Sequence, residues 1–528
     1  MSPRALVLLA TLAWSACAPA APSAPRTADS TEATQASLLR SQAPPTFADD
    51  IAPLVHRSCL PCHREGGSGP FVLKSANDVT RRGKLIREVV ASRYMPPWKP
   101  VRGYGRFRGE RALTEAELAT FASWFEAGMP LGNMDDLAPA EELPDGWLLG
   151  EPDVVLSMTQ EHVVPSEGVE QWRCFPIPTD LGARLLRSIE VRPSNPRVVH
   201  HVMVFTDATG ATSAKPGAAA GIDGMCTTHA SVDDLLSGWV PGMLPAALPE
   251  GLGLPLSAGA DVLIDAHFQI TGREERERMR LGLRFASDEA EASVFLMRLG
   301  QHAGLVLPPG ARNAIQEYEL VLPIPVRVLS ILPHAHYVCQ DVRVRALLPD
   351  GSEVPLVWID DWDFGWQDLY HYEEPVPLPA GTTIRATFRY DNSAANPRNP
   401  FSPPRRILGG SLSTDEMASV FLQLVLEDEA GRGQLVEAMD EHLAGDPEDR
   451  VLEGWWDYLR TAYDTDGDLS LNAEEDALAT AFLDGLWDAR ETYLTTLDTD
   501  GDGTLGASEL ARIRTAWQRW SEGYTKRL

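Results

Sequence analysis

The stretch RVVHHVMVF, residues 197–205, alternates apolar and β-branched residues in the manner of a strand. Neighbouring side chains of a strand point to opposite faces, so His200 and His201 should diverge. The pattern around them repeats along the chain. RLLRSIEVRP (184–193), ADVLIDAHFQI (260–270), PVRVLSILPHAHYV (325–338), TTIRATFRYDN (382–392) and ASVFLQLVLE (418–427) are all strand-like. Short strands separated by Pro and Gly turns suggest antiparallel sandwiches over residues 145–290 and 291–430.

At 528 residues the chain is too long for one core, and a multidomain organisation follows. A formal charge of −29 argues against nucleic acid and anionic membrane surfaces as partners, since both repel acidic proteins. The opening MSPRALVLLATLAWSAC has a basic start, a short apolar run and small residues before Cys17, which reads as an export signal rather than a membrane span. Cys17 resembles the acylated cysteine of a bacterial lipoprotein, so residues 1–17 imply export to the cell envelope, periplasm or outer membrane, with a lipid anchor. Residues 18–45, rich in Ala, Pro, Ser and Thr, read as a flexible tether. Residues 46–134 are helical in pattern, and Thr114 with Glu117 predicts a capping box. Beyond residue 430 the pattern turns helical and acidic.

CLPCH, Cys59 to His63, is the C-x-x-C-H signature of covalent c-type haem attachment. Two thioethers would hold the macrocycle, and His63 would supply one axial ligand. Met95 in RYMPPWKP is the expected sixth ligand, with His56 as its competitor. The region resembles cytochrome c domains that carry MPPW after the haem motif, so a small all-α haem domain is expected over 46–134.

The second group of candidates is imidazole-rich. Of 12 histidines, five fall in strand-like motifs: His200, His201, His267, His334 and His336. His334 and His336 are two apart, so a strand would present both on one face to a single ion. STDEMAS follows with Met417. This ordered set resembles the two-copper, ascorbate-dependent monooxygenases, the family of peptidylglycine α-hydroxylating and dopamine β-monooxygenases, over roughly residues 150–428. EQWRCFPIP and ILGGSLSTDEM fit the same resemblance. It implies two jelly-roll-like sandwiches, each bearing one copper, with a solvated gap between them. His200, His201 and His267 would hold an electron-storing copper, while His334, His336 and Met417 would hold the copper that meets O2. A soft thioether suits Cu(I) in that second place. The paired imidazoles would then converge through a local bulge or twist and through different ring nitrogens.

The implied activity is hydroxylation of a C–H bond of a small organic substrate, with an ascorbate-like reductant or a redox protein as external electron donor. The fused haem adds an expectation that electrons pass from it to the His200, His201 and His267 copper. A haem and copper carrier or sensor without turnover is the alternative. Where the peptide-hydroxylating member has an Arg, an Asn and a Tyr, this chain has Leu332, Ser419 and Phe421, so a peptide carboxylate lacks its anchor. WDFGWQDLYHY (362–372) reads as a shaper of sandwich and cleft with no catalytic part. Of Cys174, Cys226 and Cys339, at most one pair can bridge.

Residues 431–528 carry two calcium-loop patterns, which predict an α-helical EF-hand domain binding Ca2+. In DTDGDGTLGASE the ligands would be Asp498, Asp500, Asp502, Thr504 and Glu509. In DTDGDLSLNAEE they would be Asp464, Asp466, Asp468, Ser470 and Glu475, with Leu469 in place of the turn glycine weakening that loop.

Overall fold

The structure is a computed structural model that describes residues 43–444, apart from 66, 140–145, 169, 227–234, 288–291, 301–304, 411 and 427–428. The export signal with Cys17, most of the tether and all ten calcium-ligand candidates, Asp464 to Glu509, lie outside the described residues.

The chain opens with helices. Phe47–Ile51 forms one π-helical turn that runs into the helix Ala52–Ser58, and Ala76–Thr80, Gly83–Ala91 and Glu115–Glu126 follow. Thr114 and Glu117 cap the last of these reciprocally, as the sequence predicts. Phe47, Ile51, Val55, Val79, Ile86, Val90, Phe121 and Trp124 give this part its own apolar core. The extended segment after it is pinned elsewhere. Val101 N–H donates to Trp358 O at 2.7 Å and Arg108 N–H to His371 O at 2.8 Å, while Phe107 joins the core of the second sandwich. Arg111 and Asp368, both largely buried, close the contact with an ion pair at 2.6 Å.

The remainder is almost all β, in three main sheets. A five-stranded sheet runs in the order Ile222–Asp223, Gln171–Ile177, Asp261–Phe268, Val199–Asp207, Leu235–Trp239. A four-stranded sheet runs Ala311–Val321, Thr383–Asn392, Cys339–Leu347, Glu353–Ile359. Between them lies an eight-stranded sheet: Val154–Ser157, Arg280–Phe285, Arg184–Arg192, Leu252–Leu256, Ala292–Leu299, Ser419–Leu426, Val326–His334, Tyr370–Leu378. Its first four strands back the five-stranded sheet and its last four back the four-stranded one, so each half is a sandwich with its own core. The halves are joined by a short parallel pairing, Ala292 with Leu252 and Ser293 with Gly253. The helix Arg432–Ala444 closes the second core with Leu435 and Met439.

The strand Asp261–Phe268 is buried along its whole length. Val262, Ile264, Ala266 and Phe268 enter the first core. Leu263 faces the other way, into a cluster with Phe205, Leu235 and the Cys174–Cys226 disulfide, on which Leu296 and Phe421 of the second sandwich also pack. The outer face of this sheet is therefore dry where the other sandwich covers it. Cys339 remains a buried thiol.

Two tests follow from this packing. The Cys174–Cys226 bridge spans a separation of 52 residues, a loop whose closure stabilises by about 4 kcal/mol in the chain-entropy treatment. Cys174→Ser is expected to lower stability in denaturant titration by that order. His371 is held down to about 4 by burial, with Arg108 adding to the effect, against 6.5 for a free imidazole. A lowered value in the fold means that the unfolded chain takes up the proton first, so this stability is present above about pH 6.5 and is lost as pH falls towards 4. The denaturation midpoint should drop between pH 7.5 and pH 5, and His371→Phe should flatten the drop.

Candidate metal centre

The puzzle of the paired histidines is resolved by one extra residue. Along Val199–Asp207 the register against Asp261–Phe268 shifts between Val199, opposite Phe268, and His201, opposite His267. His200 is the unpaired residue of this bulge. Val199 and Val202 both enter the first core, which leaves both imidazoles on the opposite side. The rings do not use different nitrogens to meet: Nδ1 of His200 lies 3.0 Å from Nδ1 of His201. His267 joins from the neighbouring strand, and one nitrogen of each ring lies within 4.8 Å of the others.

The walls of this triad hold it in one geometry. Trp172 stacks on His267 at 4.5 Å with an interplanar angle of 8° and meets His201 edge-on. Glu170 Oε2 sits 3.1 Å from His267 Nε2, while His267 Nδ1 is buried with no hydrogen-bond partner. Burial raises the Glu170 carboxyl, but His267 and Ser413 outweigh it and hold Glu170 at about 2. Burial lowers His200 to about 4 and holds His201 well below the ordinary imidazole value, with the neighbouring imidazoles adding to both. These two rings are therefore neutral at physiological pH, the state in which an imidazole nitrogen can ligate a metal. A cleft of about 340 Å³, lined by Glu167, Glu170, Trp172 and Asp223, opens beside the triad.

The second set is built differently from the sequence expectation. The strand Val326–His334 ends at His334, and His336 sits beyond it, just before the turn at 337–338, so strand alternation alone does not present the pair. A buried carboxylate orders the turn instead. Glu416 accepts from the backbone N–H of His336 at 2.8 Å, Val338 at 2.8 Å, Cys339 at 3.2 Å and Met417 at 3.1 Å. Burial pushes Glu416 up to about 8, with these donors pulling the other way. His336 Nδ1 donates to Asp415 O at 3.1 Å and His334 Nδ1 to Gln367 Oε1 at 2.7 Å, which turns the lone pair onto Nε2 in each ring. Nε2 of His334 lies 3.1 Å from Met417 Sδ. The ring of His336 lies beside this pair, its centroid 5.3 Å from that of His334.

The two sets are not separated by a wide gap. The ring centroids of His201 and His334 are 6.3 Å apart. Phe364 fills the space beside them, stacked on His200 at 4.8 Å and edge-on to His336 at 5.2 Å. The solvated separation implied by the resemblance is absent here because the sandwiches meet along a shared sheet and Phe364 occupies the seam.

In the helical part, Cys59, Cys62 and His63 form the loop that follows Ala52–Ser58. The two thiols are unbridged. His63 is buried and its Nδ1 donates to Phe71 O at 2.9 Å, leaving Nε2 as the ligating atom. Met95 follows the helix Gly83–Ala91, joined by a cis bond to Pro96, with its N–H on Val89 O. His56 lies on the helix Ala52–Ser58.

The chain is similar to DBH-like monooxygenase protein 1. It shares 21% identity with the human and mouse proteins over 257 residues, which is 44% of this chain and 42% of each of theirs. With the chicken protein it shares 19% over 253 residues, 44% of this chain and 41% of that one. The chain spans about 42% of the length of the curated relatives it matches. No family model matches. Among solved structures, the major capsid protein P2 of bacteriophage PM2 overlaps with a TM-score of 0.21 at 11% identity, covering 52% of this chain and 96% of that one. PNGF-II overlaps with a TM-score of 0.20 at 10% identity, covering 49% and 61%.

Glu170, Trp172, Phe364, Gln367 and Glu416 escape a reading of motifs alone. Glu170 and Trp172 stand inside EQWRCFPIP, Glu416 inside DEM, and Phe364 and Gln367 inside WDFGWQDLYHY, so the sequence marks their segments but not the rings they touch. Gln367→Leu removes the acceptor that orients His334, and loss of such an outer partner weakens metal binding by about 10–100-fold. A copper titration should find that loss at the His334, His336 and Met417 set, with the His200, His201 and His267 set unchanged.

Proposed function

We propose that this chain is an exported, copper-dependent monooxygenase that hydroxylates a C–H bond of a small organic substrate with O2. The observation that carries the reading is the pairing of an all-imidazole set with an imidazole–thioether set, the facing rings 6.3 Å apart. The donor chemistry fits: imidazoles and a thioether suit copper, and the unpartnered Nδ1 of His267 is a buried group that a metal would satisfy. Copper bound by these residues would supply one-electron redox chemistry towards O2, in which substrate and dioxygen plus two electrons and two protons yield alcohol and water.

The rest of the task falls to the chain. Trp172 and Glu170 hold His267 in place, and Gln367 and Asp415 fix the rings of His334 and His336. Phe364 excludes water from the seam between the sets. Leu332 pairs with Phe421, and Ser419 with His334, across the strands that bear the second set. These positions offer an apolar wall and a hydroxyl in place of an anionic-group anchor, which favours a substrate of low charge.

Electrons would reach the copper sites through a c-type haem on Cys59, Cys62 and His63, with Met95 as sixth ligand and an ascorbate-like reductant or redox protein as external donor. With Nδ1 of His63 engaged by Phe71 O, its Nε2 and the two unbridged thiols fit that attachment. The disulfide agrees with an oxidising compartment, and no described helix is long and apolar enough to cross a membrane. Anchoring through Cys17 in a bacterial envelope, and a Ca2+-binding tail at Asp464–Glu475 and Asp498–Glu509, complete the proposal.

The test is O2 uptake by copper-loaded protein with reductant across a panel of C–H substrates. Turnover that requires copper is expected. Met417→Ala should abolish it and leave the haem spectrum unchanged. Tight copper binding with no uptake across the panel would reduce the protein to an electron carrier.

A further inference from the structure

The strap Asp361–Asp368 reaches further than the walls of the metal sets. Gln367 accepts from His334, Trp362 Nε1 donates to His336 O at 3.0 Å, and Phe364 stacks on His200. Trp366 turns towards the helical part. Its ring meets Tyr94 edge-on at 5.8 Å and 72°. It also lies against Gly242, where a β-carbon would come 3.6 Å from the ring. Gly242 has φ +91°, a conformation that glycine adopts without strain, so the approach is built into the loop. The carbonyl of the same Gly242 lies 3.9 Å from Cys62 Sγ.

Tyr94 immediately precedes Met95. Both segments assigned to the haem, Cys59–His63 and Met95, therefore border on Trp366 through one intermediary at most. From Trp366 a single peptide bond leads to Gln367 and one hydrogen bond leads on to His334. The triad meets the strap through Phe364, two residues further from Trp366.

We propose that Trp366 is the electron port of the protein: electrons pass from the Cys59–His63 loop through Trp366 and Gln367 to His334, so they enter at the His334, His336 and Met417 set and not at the triad. The inference rests on the haem reading above and reverses the order of delivery expected from sequence. One electron moves per event. With haem held by Cys59, Cys62 and His63 and copper held by His334, His336 and Met417, the electron would leave as Fe(II) becomes Fe(III) and arrive as Cu(II) becomes Cu(I). No proton is needed.

The experiment uses the full-length protein carrying haem and copper, oxidised, free of O2, and given less than one electron per molecule by pulse radiolysis. Decay of the reduced haem band, matched by loss of a Cu(II) resonance signal, reads the internal transfer. Trp366→Leu should slow that decay several-fold, with haem spectrum and copper content unchanged, and Trp366→Phe should restore part of the rate. His267→Ala, which disables the triad, should keep the wild-type rate. A wild-type rate in Trp366→Leu, or loss of transfer in His267→Ala, overturns the port while leaving the haem reading intact. Purified protein without a covalent haem band overturns both.

Discussion

Glu416 carries the heaviest constraint in the molecule. Its carboxylate is fully buried and gathers four backbone N–H groups, three from the turn at 336–339 and one from Met417. A buried donor left without a partner costs about 1–3 kcal/mol, so the two segments that carry His336 and Met417 are tied to each other by one side chain. Tyr390 adds a second tie, its hydroxyl donating to Met417 O at 2.8 Å. Met is a flexible side chain, and rigidity at its backbone is what allows its sulfur to keep a fixed place beside His334.

The opposing set depends on a different device, a strand forced out of register. A bulge at His200 and a neighbouring strand buried on both faces put three imidazoles on the dry side of the five-stranded sheet. Burial then lowers the proton affinity of His200 and His201, so the packing that hides these two rings also keeps them neutral. The apolar cluster of Phe205, Leu263 and the disulfide, covered by Leu296 and Phe421, seals the seam beside them.

Between the sets runs a strap with no regular structure over most of its length. It is held at both ends by charge, Asp361 with Lys99 and Arg398, and Asp368 with Arg111. Its aromatic residues are shared among three bodies: Trp362 and Phe364 face the metal sets, and Trp366 faces the helical part. An ordered loop of this kind, anchored on rigid sheets, is where function concentrates in sandwich proteins.

Local pattern alone marked the strands, the capping box at Thr114, the Cys59–His63 motif and the histidines themselves, because periodicity and spacing are properties of neighbours in the chain. It also marked the oddity of His200 beside His201, though not the nitrogens they turn to each other. What only the tertiary structure decided is what meets across long separations. It set the partner of Cys174, the reach of Glu416 to His336, the contact of Gln367 with His334 and the closeness of the two metal sets. Those contacts join residues far apart in the chain, and they form only once sheets have paired and buried their apolar faces. No local rule of side-chain alternation contains them.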